Sequence, residues 1–249
     1  MTDALPDSSS LIQILSGLDR LIYPSDCLLC ERRYDRNDSL SVCPDCRIQL
    51  AREPFATCPR CAGTIGPFVD TTDGCPSCTK ESLHFESVIR FGPYDGKLRD
   101  AILRAKQLSG EILAETIGRL WVARDRDRFD RLAIDAVVPI PLHWIRRIER
   151  GYNQSAALAD AIGHSLGVRV GRGWLRRIKP TPKQYTQSAS ARRENLKGAF
   201  RASIRCRARG LRVLIVDDVM TTGATASEAA RALKAAGAAQ VHAAVLARR

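Results

Sequence analysis

Two adjacent carboxylates, Asp217 and Asp218, end a run of four apolar residues in "VLIVDDVMTTGATAS", residues 213–227. The run has no polar alternation, so it reads as a strand covered on both faces that delivers two acids at its carboxyl end. The string that follows, Thr221, Thr222, Gly223, Ala224 and Thr225, reads as a turn into a helix N-terminus. Backbone N–H groups and the helix dipole favour an anion there, three threonine hydroxyls add donors, and Gly223 allows positive φ and a close backbone approach. Carboxylates beside a phosphate cradle can take the vicinal hydroxyls of a ribose, directly or through Mg²⁺.

A second chemistry is written in sulfur. Eight of the nine cysteines form four C-x2-C pairs: Cys27 and Cys30, Cys43 and Cys46, Cys58 and Cys61, Cys75 and Cys78. Gaps of 12, 11 and 13 residues separate them. Each pair puts two sulfurs on one tight turn, and two facing turns make a closed tetrahedral zinc site. Two structural zinc ions are therefore expected, with metal binding supplying folding energy to a segment poor in apolar residues. A disulfide framework would need an oxidising compartment. Sequential pairing, 27/30/43/46 then 58/61/75/78, is favoured, and a cross-braced pairing is the alternative. Cys206 stands alone.

The elements that must position these groups divide the chain near residue 80. Residues 1–22 read as a polar tail and a short helix over 11–22, residues 23–80 as the double zinc ribbon, and residues 81–249 as an α/β domain. In that domain "FESVIRF" (85–91), "AIDAVVPIP", "VLIV" and "QVHAAVLA" read as strands. Helices are expected over 95–124, broken near Ser109 and Gly110, over the stretch from Asn153 to Gly167, and over "ATASEAARALKAAGA". Strand–helix alternation with uniformly apolar strands implies a parallel sheet flanked by helices, whose ligands sit beyond the strands' carboxyl ends.

Charge is segregated. The chain carries +12 overall, yet residues 169–212 hold 14 basic residues and one acid. Such a field attracts phosphates, on a metabolite or along a single-stranded nucleic acid. Weak, sequence-tolerant binding of single-stranded DNA is expected, with a solubilising surface as the plainer alternative. No apolar run approaches the length of a membrane span, and "MTDALPDSSS" offers no basic n-region, so a cytoplasmic protein without membrane insertion is expected.

The string around Asp217 resembles the phosphoribosyl-pyrophosphate (PRPP) motif of the type I phosphoribosyltransferases. With "PSDCLLC", "FGPYDGKLRDAILRAK", "VVPIPLHWIRRIERGYNQS" and "RRENLKGAF" in that order, the chain resembles the ComF family of competence-associated proteins from about Tyr23 onward. The resemblance implies a type I phosphoribosyltransferase-like domain behind a double zinc ribbon. It implies PRPP bound with Mg²⁺, the ribose hydroxyls facing Asp217 and Asp218, and the 5′-phosphate cradled by Thr221 to Thr225. Arg150, Gly151, Tyr152, Asn153 and Gln154 would form the pyrophosphate loop, with Lys106 facing the site. Residues 179–197 would be a hood carrying Gln184, Arg192 and Asn195, although Gln187 stands where the family has leucine.

The resemblance further implies a cytosolic factor that receives single-stranded DNA in competence or DNA utilisation, with a helicase-like partner. Its chemistry would be PRPP-dependent phosphoribosyl transfer to an acceptor the sequence does not name. Purine-salvage members of the superfamily carry an aspartate four residues after the first acid, where this chain has Thr221. A non-catalytic protein, using the pocket as a ligand or 5′-phosphate sensor, is the alternative.

Overall fold

The computed structural model describes residues 26–35, 40–142, 148, 150–179 and 194–249. A short helix α1 (Pro44–Leu50) lies in the cysteine-rich part. Then follow β1 (Val88–Pro93), α2 (Gly96–Arg104), α3 (Glu111–Arg131), β2 (Ala136–Pro139), α4 (Gln154–Leu166), β3 (Arg169–Val170), β4 (Leu175–Arg177), β5 (Phe200–Ala202), β6 (Arg212–Met220), α5 (Ala224–Ala235) and β7 (Gln240–Arg248). Five strands make a parallel sheet in the order β1-β7-β6-β2-β3, and β4 and β5 form a separate antiparallel ribbon.

Alternation along the central strands sorts side chains to two faces. Leu214 and Val216 of β6 join Ala244 and Leu246 of β7 on one face, with Ile117 and Trp121 of α3 and Leu158 of α4. Val213 and Ile215 join Val241, Ala243 and Val245 on the other, with Ala229 and Leu233 of α5 and with Leu175 and Phe200 of the ribbon. Helices α3 and α4 approach closely because Gly118 has no side chain: a Cβ there would stand 2.7 Å from the Cβ of Ala161.

Local signals explain the helix ends. Asn153 caps α4 by accepting a hydrogen bond from the Ser155 N–H at 3.1 Å, and Gly167 ends it in the left-handed region at φ 71°. The structure departs from expectation elsewhere. β1 begins at Val88 rather than residue 85, although Ser87 already accepts from the Ala243 N–H at 2.9 Å. Helical structure in α3 continues past residue 124 to Arg131 across a non-helical kink at Asp125 (φ −111°, ψ 25°), with Phe129, only 1% exposed, anchoring its last turns. β6 continues through both acids to Met220, since β7 pairs with it as far as Arg248. Strands β3, β4 and β5 were not expected. Residues 11–22 lie outside the described residues.

The described apolar residues around the first cysteine cluster do not form a core of their own. Leu29, Val42 and Leu50 are buried with Ile89, Phe91 and Leu98 in the core of the first sheet face. Further on, Arg90 of β1, 1% exposed, reaches back into this part. It pairs with Glu53 at 2.7 Å and 3.0 Å and donates to the Ala62 carbonyl and the Thr64 hydroxyl.

Candidate ligand cleft and metal centres

The carboxyl end of β6 opens into a cleft of about 580 Å³. Asp217, Asp218, the whole string from Thr221 to Thr225, Lys106 and Arg249 line it. The acids and the threonine loop therefore share one cavity, as the strand-then-turn sequence requires.

Each acid has its own surroundings. Asp218 accepts from the Gln154 side-chain amide at 2.9 Å, pairs with the Lys106 ammonium at 3.1 Å and accepts from the Val219 N–H at 2.7 Å. Burial pushes its carboxyl up, but Lys106, Gln154 and the Val219 N–H outweigh that and hold it below the usual range. Asp217 accepts from the Ser155 hydroxyl at 3.1 Å and the Asp218 N–H at 2.9 Å. Burial first, and then the charge of Asp218, push its carboxyl up to about 7. One acid is thus held ionised, while the other gains from any ligand or cation that stabilises its anion.

The threonine loop turns at Gly223, whose φ of 80° lies in the left-handed region, as its glycine requires. The Thr222 hydroxyl accepts from the Ala224 N–H at 3.4 Å, and the first intrahelical bond runs from Ser227 N–H to the Gly223 carbonyl at 2.8 Å. The first turn of a helix leaves N–H groups without intrahelical partners, and the residues of that turn line the cleft.

The donor set suits a Mg²⁺ that arrives with its ligand. Such an ion keeps several waters and takes one or two carboxylates plus substrate phosphates. Two carboxylates are present, and the buried side-chain oxygen of Gln154, beside Asp218, is an acceptor without a hydrogen-bond partner among the described residues.

The cysteines fall into two clusters, Cys27/Cys30/Cys43/Cys46 and Cys58/Cys61/Cys75/Cys78, each with its sulfurs within 4.8 Å of one another. The sequential pairing is the observed one. Four sulfurs at about 2.3 Å from a tetrahedral zinc stand about 3.8 Å apart. Cys30 and Cys43 lie 3.7 Å apart, Cys58 and Cys78 3.8 Å, and Cys61 and Cys75 3.7 Å. Backbone N–H groups of Leu29 and Cys43 point at the Cys27 sulfur, at 3.4 Å and 3.3 Å, and that of Cys75 points at the Cys58 sulfur at 3.3 Å. Such contacts suit thiolates, and both sets fit zinc.

Residues 150–249 match the phosphoribosyl transferase domain family. The chain is 30% identical to competence protein F of Haemophilus influenzae over 200 residues, 79% of this chain and 85% of that protein. The chain belongs to the competence protein F family. It is also 30% identical to the DNA utilization protein YhgH of Salmonella typhimurium over 80% of this chain and 93% of that one. Competence protein ComFC of Bacillus subtilis is 24% identical over 87% of this chain and 90% of its own. A solved glutamine PRPP amidotransferase from B. subtilis matches at 20% identity and a TM-score of 0.36. The match covers 58% of this chain and 30% of that one, too distant to bear on function. This competence protein F homologue thus has a type I phosphoribosyltransferase-like fold behind a double zinc ribbon.

Within this family member, the expected site residues divide. Asp217, Asp218, Thr221 to Thr225, Lys106 and Gln154 come together. Asn153 is occupied as the α4 cap and donates to the Ile140 carbonyl at 3.2 Å. Tyr152 donates its hydroxyl to the Ala105 carbonyl, fixing the residue before Lys106. Burial pushes its phenol up to about 12. Arg150 and Gly151 precede them without lining the cleft. Asn195 is exposed beside Leu196, which lines it. Gln184, Arg192 and Gln187 lie outside the described residues. Sequence reasoning missed Ser155 and Arg249. A buried serine in "NQSAA" carries no local signal of a carboxylate 62 residues away.

Proposed function

We propose that this protein binds PRPP together with Mg²⁺ in the β6 cleft. Asp217 and Asp218 would receive the ribose 2- and 3-hydroxyls, and Thr221 to Thr225 the 5′-phosphate. The observation that carries this reading is the meeting of both acids and the whole threonine string in one cavity. Its volume of about 580 Å³ lies within the usual range for small-molecule sites. Arg150 to Gln154 would approach the pyrophosphate, Lys106 would offset its charge, and Gln184, Arg192 and Asn195 would belong to a hood over the ligand.

If turnover follows, the ribose C1–O bond to pyrophosphate breaks, an acceptor nucleophile bonds to C1, and its proton leaves. Mg²⁺ would neutralise the leaving pyrophosphate. The acceptor is best sought by incubating the protein with PRPP and a metabolite extract and following pyrophosphate release.

The relatives' names speak of competence and DNA utilisation. One surface favours a role in handling single-stranded DNA. Arg176 and Arg201 stand directly opposite each other in the β4–β5 ribbon, both exposed. Opposed like charges destabilise a ribbon unless an anion joins them. Exposed Arg205, Arg207 and Arg209 follow. The paired thiols favour a reducing, cytoplasmic setting.

Thermal melting tests the PRPP reading. At a hundredfold excess over Kd, PRPP with Mg²⁺ stabilises the folded state by about 2.7 kcal/mol. For a chain of this size that raises Tm by about 5–10 °C. Asp217→Asn with Asp218→Asn should abolish the shift while leaving the chain folded. A full shift in the double variant would reject the assignment.

A further inference from the structure

The threonine loop has a back as well as a front, and the back rests on the second cysteine cluster. Residues 82–85 leave Cys78 by way of Glu81, whose N–H donates to the Cys78 carbonyl at 3.0 Å. Arg60, between Cys58 and Cys61, clasps this exit by donating to the Cys78 carbonyl at 3.2 Å and the Glu81 carbonyl at 3.3 Å. The strap then meets α5. His84 donates its N–H to the Ser227 hydroxyl at 3.1 Å, and its ring Nδ1 lies 2.9 Å from the same oxygen. Leu83 and Phe85 support Gly223: a Cβ there would touch Phe85 at 3.6 Å and Leu83 at 3.7 Å.

Arg248, at the end of β7, closes the arrangement from the other side. Its guanidinium donates to the Thr221 carbonyl at 2.8 Å. Its Nε stands 3.5 Å from where a Cβ on Gly63 would sit, and the Cys61 sulfur stands 3.3 Å from the same point. Cys61, Cys78, Leu83, Thr221 and Arg248 all line one small cavity of about 190 Å³. Among the described residues, no cysteine of the first cluster lines this cavity.

We infer that Arg248 and the 82–85 strap are positioning elements for the threonine loop, tying its ligand-ready shape locally to metal in the second cysteine site, whereas the first reaches the loop only through the fold as a whole. A helix N-terminus captures an anion only when its first turn is fixed before the anion arrives. Here Gly223 and Ser227 are met by the strap that leaves the second cluster, and Thr221 is held by Arg248, which lies beside that cluster's Cys61. Among the described residues, the partly buried apolar side chains packed on that cluster are Ile65 and Leu83, a small apolar support beside which metal supplies the rigidity. The inference rests on the PRPP reading for its consequence in affinity, but not for its structural content.

The test uses full-length wild type, Arg248→Ala, Arg248→Lys and His84→Ala. Three quantities are read: zinc per chain, hydrogen exchange in peptides spanning 220–227, and binding of PRPP with Mg²⁺ and of inorganic phosphate. Arg248→Ala should keep both zinc ions, exchange roughly tenfold faster across 221–225 and bind each probe roughly tenfold more weakly, as loss of a charged hydrogen bond predicts. Arg248→Lys should recover part of both effects. His84→Ala should speed exchange at 224–227 alone. Unchanged exchange in Arg248→Ala overturns the inference. If that variant loses zinc, His84→Ala decides: faster exchange supports the inference and unchanged exchange overturns it. Faster exchange in a protein whose wild type binds no PRPP would reject the PRPP reading and leave the positioning role standing.

Discussion

The two cysteine clusters share a ligand set and a C-x2-C spacing, yet they stand in different company. The first is bound into the main core. Cys27, Cys43 and Cys46 are buried with Leu29, Val42 and Leu50 against Phe91, Leu98 and Trp121. Arg104 of α2 donates to the Leu28 carbonyl at 3.2 Å, and Arg124 of α3 to the Ala51 carbonyl at 2.8 Å. The second has its own four-cysteine cluster and leans on the threonine loop. Motif and metal do not fix a site's role. The packing of the neighbouring segments does, giving the first cluster to the fold and the second to the ligand cleft.

The sharpest break of this comparison is to remove one thiolate from each. Structural zinc contributes about 10–16 kcal/mol in small metal-folded units, against a total of about 5–15 kcal/mol for an ordinary domain. Cys43→Ser should therefore abolish the cooperative melt. Cys61→Ser should keep a cooperative melt, bind one zinc fewer than the two expected in wild type, and lose PRPP affinity. Elemental analysis with circular dichroism checks both, and identical behaviour of the two variants would erase the distinction.

A milder probe trims one apolar contact on each side. Leu50→Ala, at a site with 0% exposure, should cost about 2–5 kcal/mol in denaturant unfolding without altering ligand affinity at saturating stability. Leu83→Ala, at a half-buried position beside Gly223, should cost less stability and more affinity. The opposite order would reverse the roles.

The pH response should belong to neither cluster. The Asp217 carboxyl is raised to about 7 in the folded chain, chiefly by burial and then by Asp218. The native state therefore holds a proton that the unfolded chain has lost above its ordinary carboxylate range. Stability should fall as pH rises from about 4 to about 7. PRPP affinity should rise over the upper part of that window, by up to about tenfold per unit, because hydroxyl donors and Mg²⁺ favour the anion. Proton release in calorimetry should vanish in Asp217→Asn and persist in Arg248→Ala.

The smallest effect lies furthest from both clusters. Arg176→Ala with Arg201→Ala should flatten the slope of log affinity for single-stranded DNA against log salt by about 1.4, two phosphate contacts' worth. Zinc content and PRPP binding should not change. An unchanged slope in fluorescence anisotropy would remove the ribbon from nucleic-acid handling.

What the sequence reveals depends on how local each signal is. The "VLIV" run, the Thr-Gly turn of α5, the Asn153 and Gly167 caps and the cysteine pairs are all encoded within a few residues, and each is readable. β4 and β5 are three residues long in a stretch dense with arginine, too short for alternation to show. That β6 runs through Asp217 and Asp218 depends on pairing with β7, which the strand's own residues do not state. Ser155 at Asp217, Arg248 at Thr221 and His84 at Ser227 join residues 62, 27 and 143 positions apart. Only the folded topology brings them together, so the second cluster's hold on the loop is invisible in the chain.

Calorimetric titration of PRPP with Mg²⁺ into wild type and into the Asp217→Asn, Asp218→Asn double variant tests the central claim most directly. The account predicts one PRPP bound per wild-type chain, and no binding heat from a double variant that keeps its two zinc ions and its circular dichroism spectrum. Wild-type affinity in that folded double variant would contradict it.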